Sequence, residues 1–467
     1  MKPIASLFLL MLQTVLISSQ CLAEKPNVLF IAVDDLNDWA GYRGDKQVIT
    51  PNMDKLAGQG VWFSNAYCQY ALCGPSRASI MSGLYYHQLN SKKLQAPDQF
   101  VEDQAQAMGS ELLHGYLKNH GYKTMAVGKI QHKHLAKKKL DLSGGRSGWA
   151  SIKDKDGKKI KINFRSKKTL TDWAVYPFDE KKLTDSKSAK WAVERLQEKH
   201  DEPFMLIVGF LHPHVPWYVP QKYFDMYDKE KLKLPPYNPN DFDDLPAAAK
   251  GIINDGYPRT EWAKDENTWR DIIHAYMASI TFADAKVGLV LDALEASPYR
   301  DNTIVILWSD HGYHMGEKNT FQKHTLWDRS AVAPLIIKAP KSVLKTKQTG
   351  SCDRVVSMVD LYPTLVDLCG LPPNKKVVGR SLKPLLENPS QAWNYPAFTF
   401  KNTGHRSVQF GPYRYIQYED GSMELYDHRS DPNEWKNLAK SPEKQQVVKR
   451  LQAMFDKYKV FDQKLKN

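Results

Sequence analysis

The chain has 467 residues, of which 42% are hydrophobic and 25% are charged, an ordinary composition for a folded soluble protein. This length excludes a single simple core and fits one large domain with a small one, or two of moderate size. The 65 Lys and Arg against 52 Asp and Glu give a formal net charge of +13, which favours polyanionic partners such as nucleic acid, acidic lipid or sulfated glycan.

The first residues have the layout of a secretory signal peptide. An apolar run over residues 4–17 follows a lysine, and small residues at Cys21 and Ala23 predict cleavage after Ala23. We therefore expect residues 1–23 to be a signal peptide and the mature chain to be exported, periplasmic or extracellular, which argues against nucleic acid. Lipid anchoring at Cys21 is the alternative, but Gln20 stands where a lipobox has a small residue. No later stretch is long and apolar enough to span a bilayer.

Four cysteines follow Cys21, and four thiols do not make a disulfide scaffold in a chain of this length. Cys352 and Cys369 are the one pair worth considering as a disulfide. Two half-buried helix positions explain their spacing equally well.

Short apolar runs alternate with helix-like segments, which indicates an α/β fold. Four runs predicted as buried strands end in polar clusters: 28–33 before Asp34-Asp35, 124–127 before Gly128-Lys129-Ile130-Gln131-His132, 204–211 before His212-Pro213-His214, and 303–308 before Ser309-Asp310-His311-Gly312. Sites in open parallel sheets form beyond the carboxyl ends of the strands. We therefore expect these clusters to converge on one pocket.

The rest of the pattern predicts helices and a change of architecture near the C-terminus. Helices are expected over residues 185–199 with Asp185 as the cap, over 269–294, near 360, and from about 442 onward. Residues 406–410, 413–418 and 423–426 alternate as strands, with Asp420-Gly421 as a hairpin turn. We expect a large catalytic domain over 24–388 and a C-terminal α+β subdomain with a short antiparallel sheet over 389–467.

Two segments outside these elements are candidates for substrate contact. The stretch 218–257 is rich in proline and aspartate and is expected to be a loop in the substrate-binding rim. Lysines crowd residues 133–168 together with Arg146 and Arg165, and they form either a solvated insertion or a basic wall that faces the substrate.

The residue types at the strand ends indicate a chemistry. Three carboxylates and an imidazole suit Ca²⁺ or Mg²⁺ more than Zn²⁺, although the histidine keeps zinc or manganese open: Asp34, Asp35, Asp310 and His311. Four more side chains can clamp a tetrahedral anion and protonate a leaving oxygen: Lys129, His132, His214 and Lys323. Together they predict sulfuryl or phosphoryl transfer.

Residues 73–77 read Cys-Gly-Pro-Ser-Arg. A thiol beside a proline turn and an arginine is unusual for a structural cysteine, because the guanidinium stabilises an anion and the turn exposes the side chain. Cys73 is therefore predicted to occupy a nucleophile position.

This pentapeptide matches the C-x-P-S-R signature of formylglycine-dependent (type I) sulfatases, and residues 121–129 resemble their second signature. The resemblance extends from Asn27 to Leu438, and the spacing of Lys129 and His132 is similar to that of iduronate-2-sulfatases. It implies an alkaline-phosphatase-like α/β/α sandwich with a large, mostly parallel sheet and a smaller C-terminal subdomain.

The resemblance also implies roles for single residues. A formylglycine-generating maturation enzyme would oxidise Cys73, and the hydrated aldehyde would be the nucleophile. Calcium, with Mg²⁺ less favoured, would be bound by Asp34, Asp35, the modified residue 73, Asp310 and His311. Arg77 and Lys129 would stabilise the diolate, and His132 would help to break the hemiacetal. His214 and Lys323 would hold the sulfate oxygens, with His214 or a neighbour protonating the leaving alcohol.

The sequence leaves two other functions open. Related enzymes with the same fold and a C-x-P-S-R site hydrolyse phosphoric esters or phosphonates, and a catalytically silent glycan-binding protein could keep the fold. Residues 133–190 and 218–257 do not closely match the iduronate enzymes, and loops of this kind determine which sugar is bound. Iduronate 2-sulfate is thus one candidate substrate, beside marine or host-derived sulfated polysaccharide.

Overall fold

The computed structural model describes residues 25–457 except 90, 92, 93, 136–138, 347 and 403. The predicted signal peptide lies outside the described residues. The strands in chain order are β1 (Asn27–Val33), β2 (Val61–Phe63), β3 (Ala66–Tyr67), β4 (Lys123–Gly128), β5 (Leu142–Gly145), β6 (Ile152–Lys153), β7 (Lys159–Ile160), β8 (Trp173–Val175), β9 (Phe204–Phe210), β10 (Trp217–Val219), β11 (Thr303–Ser309), β12 (Leu335–Lys338), β13 (Gly350–Cys352), β14 (Val356–Ser357), β15 (Ala397–Lys401), β16 (His405–Phe410), β17 (Tyr413–Gln417) and β18 (Met423–Asp427).

The helices are α1 (Pro51–Gln59), α2 (Cys73–Ser82), α3 (Asp98–Ala107), α4 (Leu113–Asn119), α5 (Thr184–Gln197), α6 (Gln221–Phe224), α7 (Ala247–Gly251), α8 (Thr260–Asp265), α9 (Trp269–Glu295), α10 (Asp328–Ala331), α11 (Leu361–Leu368), α12 (Lys383–Glu387) and α13 (Gln445–Lys457). Within the described part of the chain, none of these helices combines the length and apolarity needed to cross a bilayer.

An eight-stranded sheet forms the centre of the fold, in the order β13-β2-β12-β11-β1-β9-β4-β5. Strands β11, β1, β9, β4 and β5 are parallel to their neighbours in that run, whereas β12 is antiparallel to β11 and to β2. Every residue of β1 is buried, as expected for a parallel strand covered on both faces. Alternate side chains of β1 enter two cores, one shared with α5 and α9 and the other with α2 and α11. The large sheet therefore lies between two helical layers, which confirms the expected α/β/α architecture.

The C-terminal part is a four-stranded antiparallel sheet, β15-β16-β17-β18, against which α13 packs Val448, Leu451 and Phe455. It is joined to the large sheet's layers through Arg414, whose side chain is fully buried. Its Nη2 atom lies 2.8 Å from Asp328 Oδ1 and its Nε atom 2.9 Å from Glu434 Oε1. The smaller antiparallel sheet was expected, but strand β15 was not.

Most predicted elements are present. The four strands that carry the polar clusters begin and end within one residue of their predicted positions, and α9 ends one residue later than predicted. Asp185 does not cap a helix: α5 begins at Thr184 and makes no side-chain cap hydrogen bond. Cys352 and Cys369 are free buried thiols in the structure, which does not support the disulfide.

Candidate functional site

The central strands bring the predicted metal-binding residues to one edge of the sheet. Asp34 and Asp35 follow β1, and Asp310 and His311 follow the neighbouring parallel strand β11, whose Ser309 pairs with Val33. The backbone N–H of Asp35 donates to Asp310 Oδ1 at 3.2 Å. Asp35 has a φ of 60°, an uncommon backbone conformation for a residue with a side chain. The strand ends therefore converge as the sequence predicts.

Cys73 is the first residue of α2, and Pro75 lies in the first turn, where a missing N–H costs no hydrogen bond. Its side chain is buried and points into the acidic cluster. Three groups surround Sγ: Lys323 Nζ at 3.2 Å, His311 Nε2 at 3.4 Å and Asp35 Oδ1 at 3.7 Å. The expectation of an exposed thiol on a turn is wrong, because the pentapeptide begins a helix whose ten residues are all buried.

The environment disfavours a thiolate at Cys73. Burial, with Asp34 adding to it, raises the pKa of the Cys73 thiol to about 12. Lys129 and Lys323 lower the pKa of this thiol but do not outweigh its burial. The thiol itself is therefore a weak nucleophile at neutral pH.

Arg77 connects the two strand ends from α2. Its Nε donates to Asp310 Oδ2 at 2.7 Å and its Nη2 to Asp34 Oδ1 at 3.1 Å. Its Nη1 donates to the backbone carbonyls of Lys129 and Ile130 at 2.7 and 3.1 Å. Four of its five N–H groups are thus used to hold carboxylates and backbone, and all three charged side chains are fully buried.

Two lysines neutralise the neighbouring carboxylates. Lys129 Nζ donates to Asp34 and Lys323 Nζ donates to Asp35, both within the buried cluster. Burial opposes ionisation of Asp34, but Lys129 and Arg77 outweigh it, so its pKa lies well below the ordinary value. Burial raises the pKa of Asp35 in spite of Lys323, and Asp34 and Asp310 add to that rise. A further positive charge beside Asp35 would therefore favour its ionised form.

The hydrogen bonds of two histidines define their tautomers. His311 Nδ1 lies 2.9 Å from the carbonyl of Gly312, and His214 Nδ1 lies 2.6 Å from that of Val215. A carbonyl only accepts, so both Nδ1 atoms carry the proton. In each ring Nε2 then presents its lone pair to Asp35, at 3.4 Å for His311 and 3.8 Å for His214. Burial, with Lys323 next, lowers the pKa of His214 well below its ordinary value.

His132 is half-buried beside this cluster. Burial and then Lys129 lower its pKa to about 4, so its ring is neutral near pH 7. Among the described residues, it makes no hydrogen bond to another member of the cluster. The structure therefore places His132 at the site without fixing the orientation of its ring.

The residues present fit a divalent cation. Single ligand atoms of Asp34, Asp35, Cys73 and His214 lie within 4.8 Å of one another, as do those of Cys73, Asp310 and His311. Asp35 Oδ2 is buried and has no hydrogen-bond partner among the described residues. His311 donates its other ring N–H to a carbonyl, as metal-binding histidines do. An oxygen-rich set of this kind suits a hard cation.

Three residues near the site were not predicted from the sequence to act there. Asp185 accepts hydrogen bonds from the backbone of Leu211 and His212 and from His212 Nδ1, at 2.6 to 2.8 Å, and so holds the turn that carries His214. Trp149 stacks on His214, and Arg146 lies over the Trp149 ring. Arg146 was noticed only as part of the basic segment. No periodicity marks which charges of that segment turn inward.

Comparison with known proteins places the fold and the family. The sulfatase family profile matches residues 26–371, and the profile of the N-sulphoglucosamine sulphohydrolase C-terminal region matches residues 316–460. A sulfatase of Formosa agariphila is 39% identical over 93% of this chain and 87% of its own length. Human iduronate 2-sulfatase is 29% identical over 74% of this chain and 69% of its own length.

The crystal structure of a phosphonate monoester hydrolase of Agrobacterium radiobacter superposes with a TM-score of 0.72. It covers 93% of this chain and 95% of that one at 21% identity, which shows the shared alkaline-phosphatase-like fold. The family match, by contrast, extends over most of the chain and includes the strand ends and Cys73. The chain belongs to the sulfatase family and is a sulfuric ester hydrolase.

Proposed function

We propose that this chain removes sulfate from a sulfated carbohydrate in the manner of the iduronate-2-sulfatase-like subgroup. The observation that carries the proposal is the position of residue 73. Its Sγ lies 3.2 Å from Lys323 Nζ and 3.4 Å from His311 Nε2, amid carboxylates that can hold a cation. A nucleophile at this point would meet a sulfate group already held by positive charge.

The burial of the Cys73 thiol supports its conversion before catalysis. Its pKa of about 12 makes a thiolate reaction unfavourable near pH 7. With formylglycine made by a maturation enzyme and Ca²⁺ bound, residue 73 would supply a hydrated aldehyde as nucleophile and the cation would polarise the sulfate. Asp34, Asp35, Asp310 and His311, with residue 73, would hold the cation.

The charges of the site suit an anionic ester. Three cations, Arg77, Lys129 and Lys323, face three carboxylates among the buried groups. A divalent cation would therefore leave the site with net positive charge for the sulfate. Lys323 Nζ, which contacts both Asp35 and Cys73, is placed to hold a sulfate oxygen beside the nucleophile.

The other residues act by position and by proton transfer. Arg77 acts through Asp34 and Asp310, whose orientation it holds. His214 would take up at Nε2 the proton that the attacking hydroxyl of hydrated residue 73 loses and pass it to the leaving alcohol oxygen, because its Nδ1 proton is donated to the Val215 carbonyl. Lys129 keeps Asp34 ionised, and His132, neutral near pH 7, is a further proton acceptor.

The test compares one alcohol carrying a sulfate, a phosphate or a phosphonate ester. We expect kcat/KM to be highest for the sulfate ester. A higher value for the phosphate or phosphonate ester would overturn the proposal in favour of the alternative activity. Binding of sulfated sugars without turnover of any ester would instead indicate a silent glycan-binding protein.

The proposal includes export and a division of the chain. Residues 1–23 would be removed as a signal peptide, residues 24–388 would form the catalytic domain and residues 389–467 the C-terminal subdomain. N-terminal sequencing of the protein recovered from periplasm or medium tests export. We expect the mature protein to begin at Glu24, and recovery of a lipid-modified Cys21 would favour the anchored form.

A further inference from the structure

Trp149 contacts the side chains of three residues at the edge of the site. Its ring stacks on His214 with centroids 4.4 Å apart and planes inclined by 29°. Arg146 Cζ lies 4.6 Å and Lys129 Nζ 5.1 Å from the centre of the same ring. Cations are attracted to the face of an indole ring. Trp149 therefore fixes Arg146 next to two residues that are proposed to act on the sulfate ester.

The topology explains why Arg146 reaches the site. Strand β5 is parallel to β4, and Lys129 follows β4 while Arg146 follows β5. Adjacent parallel strands end at the same edge of a sheet, so their next residues are neighbours. The loop beyond Arg146 is held in place by Thr184 Oγ1, which donates to the Gly148 carbonyl at 2.5 Å.

The guanidinium of Arg146 has unused donors. Its Nε and Nη2 atoms are buried and have no hydrogen-bond partner within the described ranges of the chain. These two N–H groups point along one edge of the guanidinium plane and match the two oxygens of a carboxylate. Arg77, by comparison, uses four of its N–H groups on protein acceptors. A buried donor without an acceptor costs free energy, so these two N–H groups favour a ligand that brings oxygen acceptors.

We propose that Arg146 is a specificity-determining residue that binds a carboxylate of the substrate beside the sulfate ester. The substrate would then be a sulfated uronic acid, with the carboxylate on Arg146 and the sulfate on Lys323 and residue 73. This inference rests on the proposed function and names the chemical class of its sugar.

The experiment uses mature, calcium-loaded enzyme and two substrates that differ in one group. One is a 2-O-sulfated hexuronate, and the other is its carboxyl-reduced analogue with the same sulfate. We expect wild type to prefer the uronate in kcat/KM by about 30-fold or more, because the analogue leaves the fork unpaired. Arg146→Gln should lower this ratio at least about tenfold, and Arg146→Lys should fall between, because it keeps the charge and loses the fork.

Arg165→Gln is the matched control. It removes an exposed positive charge from the same basic segment, and the ratio should stay at the wild-type value. A wild-type enzyme without preference for the uronate would overturn the inference. So would an Arg146→Gln variant that loses activity equally on both substrates, or a preference for a neutral sugar with a second sulfate.

Measurements with 4-nitrophenyl sulfate distinguish failure of the inference from failure of the proposed function. Sulfate release from this ester without a carboxylate preference on the sugars would overturn the inference alone. No sulfate release from any ester by formylglycine-containing, calcium-loaded wild type would overturn the proposed function and the inference with it.

Discussion

Asp185 accepts a hydrogen bond from His212 Nδ1 at 2.6 Å, and its two oxygens also accept from the backbone N–H groups of Leu211 and His212. A side chain from the start of α5 thus holds the turn beyond β9 on which His214 stands. The orientation of His214 depends on a carboxylate that does not itself touch the candidate site.

We expect Asp185→Asn to lower both the thermal midpoint and kcat/KM. The amide NH₂ would face N–H donors, and an unsatisfied buried donor costs about 1 to 3 kcal/mol. Displacement of His214 should reduce kcat/KM about tenfold or more. Asp179→Asn, at an exposed acid that accepts from the Lys181 N–H, is the control for both measurements. Unchanged values for Asp185→Asn would contradict its positioning role.

Cys73→Ala should abolish turnover while the protein stays folded. The loss of kcat should be at least about a thousandfold, because the nucleophile is removed. Cys68→Ala, which also removes a fully buried sulfur, should keep activity within a few-fold of wild type. Circular dichroism and thermal unfolding check the fold of both. Unfolding of Cys73→Ala alone would reveal a structural cysteine.

Divalent cations should stabilise the protein. A ligand that binds only the folded state raises the thermal midpoint, and the added stability grows with the logarithm of one plus its free concentration over Kd. We expect a larger increase with Ca²⁺ than with Mg²⁺ after chelator treatment, and Asp310→Ala should lose most of it. Calorimetric titration of both cations gives the affinities. A wild-type midpoint that neither cation changes would count against a metal at these carboxylates.

We expect ionisation of Asp284 to make the stability of the protein depend on pH. This side chain of α9 accepts hydrogen bonds from Asn52 and Met53 at the start of α1, and burial raises its pKa to about 6. Because this pKa is higher in the folded state, folding takes up a proton. The contribution of Asp284 to stability is therefore complete below the ordinary pKa of an aspartate and declines as the pH rises through about 6.

The thermal midpoint of wild type minus that of Asp284→Asn should therefore be larger at pH 4.5 than at pH 7, by a few degrees. The control is Asp292→Asn, at an exposed position of the same helix, where the difference should not vary with pH. A constant difference for Asp284→Asn would show that its carboxyl keeps an ordinary pKa in the folded state.

Loss of Arg414 should destabilise the whole chain. Arg414→Met leaves Asp328 and Glu434 without their buried cation, and removing one partner of a buried pair costs about 3 to 5 kcal/mol. Arg429→Met removes a largely exposed arginine paired with Asp427 and should cost less than about 1 kcal/mol. Equal thermal midpoints for the two variants would show that Arg414 does not hold the C-terminal sheet.

The convergence of the acidic residues could be predicted from the sequence because parallel strands end at one edge of a sheet. Buried apolar runs mark β1 and β11, and Asp34 and Asp310 follow them directly. The burial of Cys73 could not be predicted in the same way. Helix α2 consists mainly of small and polar residues and shows no apolar stripe, yet all ten of its residues are buried.

The roles of Asp185 and Arg146 could not be predicted from the sequence for a related reason. An acid near the start of a helix suggests a cap, and only the tertiary structure shows that Asp185 turns to the strand end beside it. Arg146 stands among lysines that are mostly exposed, and in the structure its guanidinium lies over the indole ring of Trp149 at the site. Contacts between distant segments decide both positions, and no local pattern records them.

The central claim is that residue 73 acts as formylglycine. Its most direct test is peptide mass spectrometry of residue 73 across preparations of natively produced enzyme whose specific sulfatase activity has been measured. We predict that specific activity rises in proportion to the fraction of Cys73 converted to the aldehyde. Full activity in a preparation whose Cys73 is entirely the unmodified thiol would contradict the account.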